Sequence, residues 1–243
     1  MTNKSSSLEE RAEQLAGQMT LLEHLEELRD RLVKAAVVVG ITTAIAAIFT
    51  PQILELLITP YGQRLQIISP TEGITVYFRV ALTAGLILAM PFLVYQLLMF
   101  ILPGLEDSEK QYIFWGVPSA TALFLVGVAF AWFILIPAAI GFLSSFLPEI
   151  FSTEWRSKEY IPFVTSLVFW IGLAFETPLI IFIMSKLKIV TPQFLIKQWR
   201  FAVVIIAIAA AMITPTPDPF NMGLVMLPLF GLYAFSILLS YLA

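Results

Sequence analysis

HLEELRDRLVKAAVVVGITTAIAAIFTPQIL, residues 24–54, joins two chemistries in one unbroken stretch. Its first eleven residues carry charge at helical spacing, and residues 35–54 carry none, which is the roughly 20-residue length that a membrane-spanning helix needs. Leu21, Leu25, Leu28 and Leu32 form an apolar stripe at helical spacing, and Thr20-Leu21-Leu22-Glu23 is a capping-box pattern. The spacing therefore predicts one helix that enters the bilayer directly from a charged first segment.

The rest of the chain repeats the apolar part of that pattern. Residues 80–105, 111–148, 201–217 and 219–243 are uncharged, and 160–185 is interrupted only by Glu176. With 59% hydrophobic and 13% charged residues, a single water-exposed globule is excluded, and the reading is an all-α integral membrane protein with six spans. Ten basic residues (Lys4, Arg11, Arg29, Arg31, Lys34, Lys110, Lys186, Lys188, Lys197, Arg200) fall on the side of the N-terminus and four (Arg64, Arg79, Arg156, Lys158) on the other. By the positive-inside rule both termini are cytoplasmic. Residues 1–19 read as a flexible cytoplasmic tail and not as a cleaved signal peptide, and residues 20–243 as a single six-helix transmembrane domain.

Local signals set the expected element ends. Residues 51–57 suggest a short amphipathic piece in an external loop. Ser69-Pro70-Thr71-Glu72 places an N-cap Ser, Pro70 at the first helical position and Glu72 three residues on, so helix 2 is expected from Pro70. Leu102-Pro103-Gly104 stops it, and Ser108-Glu109-Lys110-Gln111 is a further capping box. Trp155 and Tyr160 are expected as interface anchors. Thr191-Pro192 opens helix 5, whose apolar part 201–213 covers only about 20 Å, so bilayer thinning near helices 5 and 6 is expected. Pro91, Pro118, Pro137, Pro178 and Pro228 lie inside spans and predict a kinked bundle.

Zero cysteines and one histidine exclude thiol chemistry, disulfides and Cys/His metal sites, and no P-loop run is present. No metal or cofactor is expected. The three Asp residues, Asp30, Asp107 and Asp218, avoid the middle of every span, which leaves no inventory for an intramembrane enzyme.

The charged constellations that remain each have two readings. Glu27–Arg31 and Glu26–Arg29 fit i, i+4 and i, i+3 helix pairs, but Glu23 and Glu27 are like charges one turn apart. Glu106, Asp107 and Glu109 crowd a short inside loop, where Glu109 alone would suffice for the helix dipole. Two acidic patches on one membrane face read as a receiver for a basic segment, arginine above lysine because its planar fork binds carboxylate bidentately. Glu176 is a mid-span carboxylate, either functional or a protonated group bonded to a neighbouring helix. Asp218 fits an Asx-type turn or a functional position, and His24 reads as a hydrogen-bonding residue at the interface.

The pattern H-L-x-E-L-R-x-R-L, the external Ser69-Pro70-Thr71-Glu72, Pro91 with Tyr95-Gln96, Phe100 with Pro103-Gly104-Leu105 and Glu109, Phe175-Glu176-Thr177-Pro178, and Thr214-Pro215 with Asp218 resemble the TatC family over residues 20 to 240. The resemblance implies a concave, glove-shaped six-helix bundle that recognises twin-arginine signal peptides of folded cargo, with export driven by the proton motive force. It implies Glu27 and Glu109 as signal-binding positions, with Glu26, Arg29, Pro103 and Leu105 secondary. It implies Glu176, Thr214 and Asp218 as intramembrane polar or partner-contact positions toward TatA- and TatB-type single-span proteins. Pro70, Glu72, Pro91 and Pro178 take structural roles, and Ala234 stands where the family often has Glu. Self-association in a multimeric receptor is implied, nucleic acid is not, and the membrane is the plasma membrane of a prokaryote or, as the alternative, a thylakoid. The rival function is a secondary transporter with Glu176 as its coupling carboxylate.

Overall fold

A computed structural model of the chain describes residues 21–101, 111–146, 149, 154–214 and 218–243. Its elements are helices: α1 (Leu21–Ile58), α2 (Glu72–Ile101), α3 (Gln111–Phe130), a π-helical turn (Ala131–Leu135), α4 (Ile136–Ser144), α5 (Ser157–Ala174), α6 (Thr177–Lys186), α7 (Pro192–Lys197), α8 (Trp199–Ile213) and α9 (Pro219–Ser240). Five stretches are long and apolar enough to cross a membrane: α1, α2, α3 through α4, α5 through α6, and α9; α8 is a sixth, shorter one.

Helix α1 corrects one expectation. It passes through Pro51 and continues to Ile58, where a separate loop piece was expected. Proline at 51 has no N–H to give the carbonyl four residues back, at Ala47. The Tyr77 hydroxyl of α2 donates to that carbonyl instead, which keeps the helix whole and ties it to its neighbour. Helices α1 and α2 pack along much of their length. Gly85 makes the approach possible: a Cβ there would lie 2.4 Å from Thr43 Oγ1 and 2.6 Å from Thr43 Cα. The opposite side of α1 exposes Val37, Ile41, Ile45 and Ile48, which suits a helix whose solvent is lipid.

Two of the span prolines coincide with irregular turns, whereas Pro91, Pro118 and Pro228 lie inside α2, α3 and α9, each of which runs as one continuous helix. Pro137 follows the π turn at residues 131–135, where the wider turn accommodates the missing donor. Pro178 sits in the first turn of α6, and Phe175 and Glu176 form the break between α5 and α6. Thr191 caps α7 by accepting the Phe194 N–H at 3.2 Å, and the chain breaks again at Gln198 before α8.

The main core gathers Val80, Leu135, Ile136, Tyr160, Ile161, Leu167 and Ile171, with Ile206, Ala210 and Val225 from α8 and α9. Tyr160 is therefore not an interface anchor. It is fully buried, its hydroxyl donates to the Leu57 carbonyl at 2.9 Å, and its ring meets Tyr61 at a tilt and Trp155 edge to face, under the loops that join α1 to α2 and α4 to α5.

Those loops are stitched by Gln66, whose N–H donates to the Trp155 carbonyl at 3.0 Å and whose carbonyl accepts from the Ser157 N–H at 2.9 Å. Glu72 completes the join. Its Oε2 accepts from the N–H groups of Ile68 and Ser69 at 3.1 and 3.3 Å, which is the Glu72 half of the capping box anticipated for α2; the Ser69 hydroxyl pairs with Thr71 Oγ1 at 3.2 Å instead of with the Glu72 N–H. Its Oε1 accepts from Ser157 Oγ and the Lys158 N–H, both at 2.9 Å, so one carboxylate caps two helices. The regular ladder of α2 starts at Glu72, two residues after the expected Pro70, because Pro70 and Thr71 form the turn that the cap closes.

Candidate functional site

The charged segment of α1 meets the last turns of α2. His24, Glu27 and Arg31 lie on one face of α1 by their i, i+3, i+7 spacing, and Gln96 and Phe100 lie on one face of α2 by i, i+4. The His24 and Phe100 rings stack with centroids 4.3 Å apart. Arg31 donates to Glu27 Oε1 through Nε at 2.8 Å and also through Nη2. Its third nitrogen, Nη1, donates to Gln96 Oε1 at 3.2 Å. Both partners of the ion pair are mostly covered, at 16% side-chain exposure for Glu27 and 18% for Arg31.

This arrangement spends only half of the Glu27 carboxylate. Oε1 takes both bonds from Arg31, whereas Oε2 is buried and has no hydrogen-bond partner among the described residues. His24 Nδ1 stands 3.7 Å from it, too long for a hydrogen bond. A buried carboxylate oxygen without a donor is costly, so Oε2 is the open acceptor of this cluster among the described residues.

Other residues from the sequence reading fall elsewhere. Glu26 is exposed, about 100° around α1 from Glu27, and the anticipated Glu26–Arg29 pair does not form. Arg29 turns to Asp30, donating from Nε at 3.0 Å and Nη2 at 2.9 Å, although the two positions lie about 100° apart around the helix. Glu109, Pro103 and Leu105 lie outside the described residues. Spacing makes Arg31 the i, i+4 partner of Glu27 and the family pattern includes Gln96, but the sequence reading assigns neither to this site; the one further signal for Gln96 is a glutamine in an otherwise apolar span.

The second group lies deeper in the bundle. Glu176 is 5% exposed at the break between α5 and α6, with its Oε1 buried and unpartnered among the described residues. Thr214 bonds the Ala210 carbonyl of its own helix at 2.8 Å. Asp218 caps α9, accepting from the Asn221 N–H at 2.7 Å and from Asn221 Nδ2 at 2.9 Å, which is the Asx-type geometry. Thr214 and Asn221 line one small enclosed space with Leu135 and Phe163, and Glu176 is not part of it. Between α5, α6, α8 and α9 a larger apolar hollow of about 520 Å³ opens, lined by residues such as Trp170, Thr177, Ile205 and Tyr233.

A model of the family described as Sec-independent protein translocase protein (TatC) matches residues 23–228. The chain belongs to the TatC family. It is 38% identical over 232 residues to the Sec-independent protein translocase protein TatC of Deinococcus radiodurans, covering 90% of this chain and 85% of that one. It is 32% identical over 219 residues to the chloroplastic TATC of Arabidopsis thaliana, covering 89% of this chain and 64% of that one. Its fold is similar to a crystal structure of the twin arginine translocase receptor TatC, with a TM-score of 0.83 at 33% identity, covering 90% of this chain and 99% of that one. The TatC membership makes the chain a multi-pass membrane component of the twin-arginine protein translocase, and the all-helical bundle is the TatC fold.

Proposed function

We propose that this chain is the signal-recognising core of its translocase, and that Glu27 and Glu109 together receive the two arginines of a twin-arginine signal peptide at the cytoplasmic face. The observation that carries the reading is the buried, unpartnered Oε2 of Glu27 beside an Oε1 already held by Arg31. An incoming guanidinium completes the carboxylate and leaves the internal pair intact. Arg31 already balances the charge of Glu27, so a second cation needs a second carboxylate, and Glu109 supplies it from the inside loop. Arginine suits the position better than lysine because its planar fork reaches an oxygen that is recessed and directional. An exposed ion pair would contribute little, and the cover over Glu27 is what raises its value.

In this reading the chain is a receptor and not an enzyme, and proton motive force drives export of folded cargo. Glu176 serves contact with TatA- and TatB-type single-span partners, supported by its buried, unpartnered oxygen at a helix break. The test is site-specific crosslinking from the arginines of a twin-arginine peptide to the membrane-embedded protein. Glu27→Lys and Glu109→Lys each abolish the crosslink while the bundle elutes and melts as the parent does. Normal crosslinking and export in the double variant would overturn the assignment. A secondary-transporter role for Glu176 predicts solute uptake by the purified chain alone, and absence of uptake sets it aside.

A further inference from the structure

On the membrane face opposite Glu27, a recess of about 280 Å³ opens between the first turns of α2 and α5. Arg79 and Lys158 line it, with the Thr71 and Thr75 side chains, Pro162 and Glu72. Glu72 is spoken for: both of its oxygens carry the cap bonds that join the two helices, and Arg156 Nη2 stands 3.9 Å away. Arg79 and Lys158 are different. Both are exposed, and neither side chain has an ion pair or hydrogen bond among the described residues.

Arg79 lies seven residues into α2 from Glu72, about 10 Å along the axis, and thus within the apolar span. An arginine there is costly unless its charge finds an anion or the interface. Helix geometry supplies the direction: side chains lean toward the N-terminus of their helix, and for α2 that is the nearby membrane surface. Lys158, in the first turn of α5, reaches the same level from the neighbouring helix. Two cations against one carboxylate leave the lining with an excess of one positive charge, the complement of a single phosphodiester. The Thr71 hydroxyl, paired with Ser69 Oγ at 3.2 Å, can turn its hydrogen toward the recess, whereas the Thr75 hydroxyl already donates to the Thr71 carbonyl at 3.0 Å; Pro162 and Val76 add apolar lining.

We infer that this recess binds the phosphodiester of an anionic phospholipid headgroup, from the leaflet opposite the Glu27 site, with Arg79 and Lys158 as its two cationic contacts. The lipid source follows from position, since the recess opens at the end of a span where the nearest phosphates are those of headgroups.

The experiment is native mass spectrometry of the delipidated full chain titrated with phosphatidylglycerol, phosphatidylcholine of the same acyl chains, and inorganic phosphate. The parent retains one phosphatidylglycerol at least about ten-fold more tightly than phosphatidylcholine. The Arg79→Gln, Lys158→Gln double variant loses that preference, Arg79→Lys keeps most of it, and Arg200→Gln leaves it unchanged. If the double variant does not fold, the exposed Lys158→Gln single variant carries the test, with an expected loss of about three-fold or more. Equal binding of the two lipids by the parent, or an undiminished preference in the variants, overturns the proposal. Displacement of phosphatidylglycerol by millimolar inorganic phosphate overturns the lipid source and leaves a free-anion site. Signal-peptide crosslinking stays at the parent level in these variants, so the outcome is separate from that of the Glu27 experiments.

Discussion

Gln96 sets how Glu27 is offered. Its Oε1 takes the one guanidinium nitrogen of Arg31 that does not already reach Glu27, so Arg31 is fixed at both ends and its grip stays on Oε1. Without Gln96 the guanidinium is free to rotate and share itself across both carboxylate oxygens, competing for the position that an incoming arginine needs. Gln96→Leu is therefore expected to weaken binding of a twin-arginine peptide about five-fold, the equivalent of about 1 kcal/mol. Gln96→Glu restores an acceptor and recovers most of it. Fluorescence anisotropy of a labelled peptide measures both, and an unchanged affinity in Gln96→Leu would show that the glutamine only fills space. The Glu27–Arg31 pair is readable from the i, i+4 spacing alone. Gln96 is not, because its role depends on the register between α1 and α2, sixty-five residues apart in sequence. Arg29 shows the reverse failure: an i, i+3 partner, Glu26, was available by spacing, yet both bonds go to the adjacent Asp30.

Among the elements, the contact between α1 and α2 sets the receiver geometry, since His24, Glu27 and Arg31 come from one and Gln96 and Phe100 from the other. Gly85 is a point of close backbone approach in that contact. Any side chain there collides with Thr43 backbone, which cannot swing aside as a side-chain tip could. Gly85→Leu is expected to destabilise the bundle by about 1–3 kcal/mol, as overpacking does, and to lower signal-peptide binding by separating the helices. Thermal unfolding in detergent together with peptide binding checks this; a parent-like melting curve with parent-like binding would mean that the crossing does not position the site. Helix starts were legible where a side chain makes the cap, at Ser69 to Glu72 and at Thr191. The continuity of α1 through Pro51 was not, because it depends on a hydroxyl from Tyr77 in another helix. The second half of the Glu72 cap, at Ser157 and Lys158, was hidden for the same reason.

The whole molecule must fit one bilayer with helices of unequal length. Helix α1 is 38 residues long and α2 is 30, whereas α8 has 15 residues, or about 22 Å, against a hydrocarbon core of roughly 30 Å. Helix α9, at 22 residues and about 33 Å, is long enough on its own, so the mismatch sits at α8 and not at both of the last two helices. Helix α7 does not extend the span, because the chain breaks at Gln198 before α8 begins. The apolar hollow between α5, α6, α8 and α9 lies against α8, at the point where the membrane would have to thin. A bilayer that already matches α8 relieves that distortion, and a thicker one deepens it by fractions of a kcal/mol per ångström. Reconstituted into nanodiscs of phosphatidylcholine with 14-, 18- and 22-carbon acyl chains, the protein is expected to unfold at progressively lower temperature as the chains lengthen. Scattering or simulation-independent neutron contrast across the disc should show thinning localised near the protein in the thicker lipids. A melting temperature that rises from the shortest to the longest chain would mean that the long helices α1 and α2 set the match, and that α8 is shielded from lipid by its neighbours.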